Sequence, residues 1–446
     1  MDIRECEKKY DVVIVGAGVA GLNCALHLPP GKRVLLLCKR EPSESDSCLA
    51  QGGICMMRGR DDFDGYFEDT MRAGHYENNP ATVRCMLDGS EAVIDGLVGL
   101  GVRFARDGDG NFRFTREGGH RRPRILFHED CTGLEITTKL YGRVTQLDNV
   151  TLCPQTTVLD ILEEEGMAAG VVARDNASGE WRAIYSDYTV LATGGVGGLF
   201  HNSTNYRSLT GDALAICLRH GVRCDHLDYV QIHPTTLYSR KNGRRFLISE
   251  SVRGEGAVLL NAAGERFTDE LQPRDVVTAA IREQMQKDRS RHVWLDLRPV
   301  GRDALCEHFP TIVRKCAEEG HDVFSAPVPV VPSQHYFMGG IRSDLRGRTT
   351  MPRLYAVGET CCNGVHGRNR LASNSLLESL LFAERAAQDI GAGFEPLPLS
   401  VSASAEGKLA PETYDDAEGL LLSYHGQVLR EMEKEKDESD HTEIAG

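Results

Sequence analysis

Uninterrupted apolar blocks that end at glycine recur along this chain. The first, Tyr10-Asp-Val-Val-Ile-Val15, is dense in β-branched residues, which predicts a strand buried on both faces of a parallel sheet. Gly16-Ala17-Gly18-Val19-Ala20-Gly21 follows at once, the segment to Leu28 reads as a helix, and Pro29-Pro30-Gly31 stops it. Arg33-Val-Leu-Leu-Leu-Cys38 predicts a second buried strand and completes a strand–helix–strand unit. Val12 to Leu28 is apolar enough to resemble a membrane span, yet it is short for the roughly 20 residues a bilayer needs and carries spaced glycines, Asn23 and His27. Farther on, Tyr188-Thr-Val-Leu-Ala192-Thr193-Gly194-Gly195 and Leu354-Tyr-Ala-Val-Gly358-Glu359 read as two more buried strands that end in glycine.

Glycines at the first spacing have distinct physical jobs. Gly16 makes the tight turn, Gly18 lets backbone N–H groups approach a pyrophosphate, and Gly21 permits close helix packing, while the helix N-terminus offers partial positive charge to the anion. The acid that usually ends the second strand and binds ribose is replaced by Cys38-Lys39. The small-residue loop from Ser47 through Gln51, Gly52 and Gly53 to Ile54 is not expected of a simple nicotinamide dehydrogenase. Three strand ends closing in glycine suit a long ligand lying across the carboxyl edge of one sheet, and FAD is that kind of ligand.

Composition narrows the field without choosing a reaction. With 446 residues, 41% hydrophobic and 26% charged, the chain suits two or three globular domains. Its 51 Lys+Arg against 65 Asp+Glu give a net charge of -14, which disfavours nucleic acid or an anionic membrane as a partner. Residues 401–446 hold 12 acids against 4 bases, or -8 of that total, and read as a solvated, partly helical appendage without a catalytic role. The other 400 residues carry only -6, which leaves room for a local anion-binding site. The 14 cysteines include no C-x-x-C and follow no secretory leader. A cytoplasmic setting is therefore expected, with neither a structural zinc nor an iron–sulfur cluster.

Further motifs stand in order along the chain: Ala50-Gln51-Gly52-Gly53, Arg116-Glu117-Gly118-Gly119-His120, Thr210-Gly211-Asp212, Gln231-Ile232-His233-Pro234-Thr235, Arg253-Gly254-Glu255-Gly256, Pro273-Arg274-Asp275, His335-Tyr336 and His366-Gly367-Arg368-Asn369-Arg370. With them the chain resembles the fumarate reductase and succinate dehydrogenase flavoprotein superfamily from about Tyr10 to Ile390, and within it the L-aspartate oxidase family. The resemblance implies an α/β fold, a doubly wound FAD-binding domain with an inserted α+β capping domain. It also implies oxidation of L-aspartate to iminoaspartate, with oxygen (giving hydrogen peroxide) or fumarate as electron acceptor. In the family this is the first step of de novo NAD biosynthesis, and iminoaspartate passes on to quinolinate synthase. Respiratory members carry a histidine just before the Gln-Gly-Gly loop that attaches the flavin covalently; Asp46 stands there, so noncovalent FAD is expected.

The resemblance assigns the flavin to Gly16, Ala17, Gly18, Gly21, Lys39, Ser47, Gln51, Gly52, Gly53, Thr193, Gly194, Asp212 and Glu359, the last on ribose hydroxyls. Ser373, Asn374, Ser375 and Leu376 lead into a helix expected to begin near Leu376, whose first amides would face the flavin's pyrimidine ring. Simple N-capping explains the same serines and asparagine. A four-carbon dicarboxylate needs cationic donors at both ends, and arginine meets a carboxylate with two parallel N–H bonds, which makes Arg274 and Arg370 the candidates. His233 and His335 fall in segments the resemblance gives to the substrate pocket, although each alone reads as a satisfied core histidine. Ser249 and Glu250 match the loop that supplies a hydroxyl to substrate and a carboxylate near the basic group; Glu250 alone reads equally as a loop acid. Arg274 is assigned proton transfer. Delivery is easy for it, but a guanidinium pKa of about 12.5–13.8 leaves its role as a base open. Glu117 discriminates, because it can pair with the ammonium that aspartate has and succinate lacks.

Residues 1–225 and 342–393 are expected to form the FAD-binding domain, with a β-meander around residues 150 to 185. Residues 226–341 would form the capping domain, and 394–446 a short acidic tail, too short for the helical domain on the order of a hundred residues that many members carry there. Two rival readings are a soluble fumarate reductase or succinate-oxidising flavoprotein, opposed by Glu117 and Asp46, and a non-catalytic flavin-binding protein. The second is opposed by the joint presence of Glu117, His233, Arg274, His335 and Arg370.

Overall fold

The two apolar blocks at the N-terminus lie side by side, strand Lys9–Val15 parallel to strand Val34–Leu37, with Val12 opposite Val34 and Val15 opposite Leu37. The computed structural model describes residues 3–241 and 243–444. Val12 and Ile14 point into one apolar core, while Val13 and Val15 point into another on the opposite face. A strand with no polar alternation is the sequence form of that two-sided burial.

Strands Val150–Cys153, Val34–Leu37, Lys9–Val15, Trp181–Leu191 and Leu354–Ala356 run parallel in that spatial order. Trp181–Leu191 is the junction. Its second half belongs to the parallel sheet, whereas its first half pairs antiparallel with Met167–Asp175, which pairs with Thr156–Glu164 to complete the expected meander. Helices Val19–His27 and Asn374–Ala392 pack together on one face. Helix Asp212–Arg219 covers the other.

A second sheet of strands Val230–Leu237, Val328–Phe337, Val293–Asp296 and Val258–Leu260 is antiparallel throughout. Helices Arg274–Lys287 and Pro310–Glu318 close its own core around Ile248, Leu259, Ile281 and Val330. The chain leaves for this sheet past strand Cys224–Asp225 and returns through Gly340–Arg342, and these two short strands pair with each other.

The acidic C-terminal stretch is not the solvated appendage that its charge suggests. It forms helices Leu399–Gly407, Pro411–Asp415 and Ala417–Ile444, and Tyr414, Ala417, Tyr424 and Val428 are buried in the second core. The Tyr424 hydroxyl donates to the Leu159 carbonyl at 2.7 Å and the Tyr414 hydroxyl to the Asp160 carboxylate at 2.9 Å. Net charge concealed a stripe, since Ala417, Leu420, Leu421, Tyr424, Val428 and Met432 recur at helical spacing and bury one face. The side chains of Glu438, Asp440 and Glu443 lie outside the described residues. Among the described residues, no helix is long and apolar enough to cross a membrane.

Candidate active site

The carboxyl ends of the parallel strands open onto a cleft that the second sheet overhangs. Its space is ≈ 1940 Å³ with the open mouth included. Gly16, Ala17, Gly18, Lys39, Ser47, Gln51, Gly52, Gly53, Thr193, Gly194, Asp212 and Glu359 line it from the first sheet and its loops. His233, Ser249, Glu250, Arg274 and His335 line it from the overhang, and Glu117, Arg370, Ser373, Ser375 and Leu376 complete the wall.

The nucleotide wall is built of backbone. Gly16 has φ +113°, and a Cβ there would meet the Ala192 carbonyl oxygen at 2.1 Å; a Cβ on Gly21 would meet the Gly16 carbonyl oxygen at 1.9 Å. The Ser47 hydroxyl accepts from the Val19 N–H at 3.1 Å, at the start of the first helix. Lys39 is committed to protein acceptors, donating to Asp212 at 2.7 Å, Thr210 at 3.0 Å and the Ser208 carbonyl at 3.1 Å. Glu41, two residues beyond Lys39, lines the cleft and accepts from Gln155 Nε2 at 3.0 Å.

Among the described residues, several buried polar atoms here lack hydrogen-bond partners, including Asp46 Oδ2 and Gln51 Oε1. Burial pushes the Asp46 carboxyl up to about 7, and burial together with Asp46 pushes that of Glu359 up to about 8. Unsatisfied buried groups beside a glycine-walled groove are what a ligand rich in hydroxyl and ring N–H groups completes. The residues present fit FAD.

Two residues expected on the flavin do not line the cleft. Gly21 serves the packing of helix on strand. Asn374 is fully buried, accepting from the Tyr66 hydroxyl at 2.8 Å and donating to Thr70 Oγ1 at 3.3 Å. Its helix starts two residues before the expected Leu376, at Asn374, which turns that side chain inward. Nor does Ser373 cap this helix. Its backbone is left-handed, φ 62°, and its hydroxyl goes to Glu117.

The overhang gathers the charges. Arg274 opens helix Arg274–Lys287 directly after Pro273, and its Nε donates to Glu250 Oε2 at 2.6 Å while Nη1 donates to Gln231 Oε1 at 2.8 Å. Gln231 in turn donates to Asn369 Oδ1 and to the Arg370 carbonyl, both at 2.8 Å. One amide thus fixes both arginine segments. Arg253 Nη2 lies 3.6 Å from Glu250 Oε2. Burial disfavours charge on Glu250, but Arg274 and Arg253 outweigh it and hold the carboxyl below its usual range. Arg370 donates to Ser375 Oγ at 2.8 Å and lies 4.2 Å from the centre of the Tyr336 ring; burial, with Arg274 nearby, lowers it to about 10.

His233 and His335 meet edge to face at 5.1 Å. Burial and the neighbouring Arg274 keep both well below the usual imidazole range, hence neutral. The Thr235 N–H donates to His233 Nδ1 at 3.2 Å, so the ring proton sits on Nε2, which is buried and unpartnered. His335 Nδ1 is 2.8 Å from Thr204 Oγ1. Glu117 is buried, accepting from the Ser251 hydroxyl at 2.7 Å and the Ser373 hydroxyl at 2.6 Å. Burial and Glu250 raise its carboxyl above the usual value. The Ser249 hydroxyl accepts from the Ser251 N–H at 3.2 Å and so caps helix Glu250–Gly254.

Gln231 and Arg253, which open two of the motifs but are given no role there, and Ser251 join this site. Helical spacing carried one signal, because Arg253 is three residues after Glu250. Strand spacing carried another, because Gln231 is two before His233 on the same strand face.

Residues 11–376 match the family model described as FAD binding domain. The chain is 46% identical over 392 residues to an L-aspartate oxidase of Clostridium perfringens, covering 88% of this chain and 89% of that protein. It is 44% identical over 381 residues to an L-aspartate oxidase of Clostridium acetobutylicum, covering 85% and 87% respectively. Among solved structures it is similar to an E. coli quinol fumarate reductase, with a TM-score of 0.83 and 30% identity over 96% of this chain and 82% of that one.

Proposed function

The chain belongs to the L-aspartate oxidase family of FAD-binding flavoproteins, and from that premise we propose how its cleft carries out the reaction. The protein is an FAD-dependent oxidoreductase that converts L-aspartate to iminoaspartate, with oxygen (giving hydrogen peroxide) or fumarate as the acceptor. FAD, when bound, supplies the two-electron acceptor; the protein contributes position and electrostatics. Gly16, Gly18, Ser47, Gln51, Gly52, Gly53 and Glu359 hold it, and Asp46 in place of a histidine makes the attachment noncovalent.

Arg274 and Arg370 take the two substrate carboxylates, with His233 Nε2–H and His335 as neutral donors. Glu117 pairs with the α-ammonium. One observation carries this reading. Glu117 is a buried carboxylate whose bonded partners are two hydroxyls, and among the described residues no Lys or Arg forms an ion pair with it. A buried carboxylate without an ion-pair contact is costly, and the ammonium of aspartate supplies that contact where succinate cannot. Arg274, a standing cation, is placed to deliver a proton in the fumarate-reducing direction, with Glu250 and Arg253 behind it as a polar path.

Residues 226–341 act as a cap that excludes water from the cleft formed by residues 1–225 and 342–393. We place the reaction in the cytoplasm, at the entry to NAD biosynthesis, with iminoaspartate passing to quinolinate synthase. Anaerobic mixing of the FAD-loaded protein with L-aspartate is expected to bleach the yellow flavin rapidly, and mixing with succinate to do so far more slowly. Bleaching by succinate alone, or by neither, would sink the reading.

A further inference from the structure

Each oxygen of Glu117 accepts a hydroxyl, and neither donor is used where its own helix would use it. Ser373 occupies the N-cap of helix Asn374–Ala392 but makes no capping bond. Its left-handed backbone is costly for a residue with a side chain, and the hydroxyl it presents is given to Glu117 Oε2 at 2.6 Å. Ser251, in the first turn of helix Glu250–Gly254, donates to Glu117 Oε1 at 2.7 Å and is itself held by the Ser249 hydroxyl at 3.2 Å. Glu117 and both donors are at most 7% exposed. Strain and burial at two segments distant in sequence therefore converge on one carboxylate.

The charged and titratable groups around Glu117 are Glu250 and Arg253 on one helix, Arg274, Arg370 and the Cys55 thiol. Burial and Glu250 favour the protonated acid, while Arg274 and then the Ser373 and Ser251 hydroxyls favour the anion. A protonated Glu117 could not attract an ammonium.

We propose that Ser251 and Ser373 form a hydroxyl clamp that holds the Glu117 carboxylate for the substrate's ammonium, and that this clamp sets the preference for an α-amino dicarboxylate over an unsubstituted one. The clamp rests on the reading of Glu117 as the ammonium's partner. Ser251 acts through Glu117 and is a positioning residue.

In FAD-loaded Ser251→Ala, KM for L-aspartate is expected to rise about 10-fold or more, the scale of one hydrogen bond lost to a charged group, with a smaller change in kcat. Losing a donor to the anion raises the pH at which Glu117 takes up a proton, so the acid limb of kcat/KM against pH moves upward. Reduction of fumarate by a reduced dye falls far less, because fumarate carries no ammonium, and Ser251→Thr restores the aspartate KM. Should Ser251→Ala lose its flavin, Ser251→Thr against the similarly shaped Ser251→Val makes the same comparison. Aspartate and fumarate activities falling together, or an acid limb that does not move, overturn the clamp. Glu117→Gln separates the two ideas: an unaltered aspartate KM there defeats the reading of Glu117 itself, whereas a raised KM beside a normal Ser251→Ala defeats only the clamp.

Discussion

Arg274 functions in the company of a carboxylate that stays charged. Glu250 is held below its usual range because Arg274 and Arg253 outweigh its burial. The stability that this depressed pKa contributes is complete above the roughly 4.3 of an exposed glutamate and is lost as pH falls through the lower folded value. Breaking a buried pair usually costs about 3–5 kcal/mol because a charge is left alone. Arg274→Ala escapes most of that cost, since Arg253 remains 3.6 Å from Glu250. The variant is expected to keep its flavin absorbance and lose turnover by about 10²–10⁴-fold, the scale of a lost acid–base group; steady-state assay and absorbance on one sample decide, and normal turnover ends the assignment. At this scale the motifs pick out, by type and neighbourhood, arginines and histidines that line one cleft. The Asn374 side chain is in the core rather than in the groove, on a helix that starts two residues before the expected Leu376.

The C-terminal helix Ala417–Ile444 shows how an element can be misread through its charge. Acids decorate one face, while Tyr424 and Val428 are fully buried on the other. His425 Nε2 lies 3.3 Å from Asp212 Oδ1, and the same carboxylate binds Lys39 at the nucleotide wall. The helix therefore braces the cleft from behind. Removing residues from 417 onward should uncover the second core and weaken FAD retention, measured as flavin released on dilution. Tyr424→Ala should lower the stability by about 3–5 kcal/mol, the range for large aromatic truncations in a core, read from denaturant unfolding. An unchanged unfolding midpoint would show that the helix is not docked there.

The whole molecule is held together across its two sheets by contacts outside the cleft lining. Asp130 accepts from the Thr311 N–H at 3.2 Å and the Ile312 N–H at 2.7 Å, capping helix Pro310–Glu318 from another part of the chain. Arg113 meets Glu307 at 3.0 Å, and His75 meets Asp275, next to Arg274, at 2.8 Å. Asp130→Ala removes a cap worth about 0.5–2 kcal/mol, so closure of the overhang should weaken. kcat/KM for aspartate is expected to fall several-fold while FAD stays bound; an unaltered kcat/KM would free Asp130 of that role. By itself the sequence determined the nucleotide unit, the parallel strands and the chemical class of the site, because buried strands, tight turns and anion sites each demand particular residues at short spacing. Tertiary structure alone decided that the tail is docked, that Gln231 ties Arg274 to Arg370, and that Ser251 and Ser373 meet on Glu117. Those contacts join residues from 43 to 265 positions apart or depend on helical phase, and no local pattern encodes either.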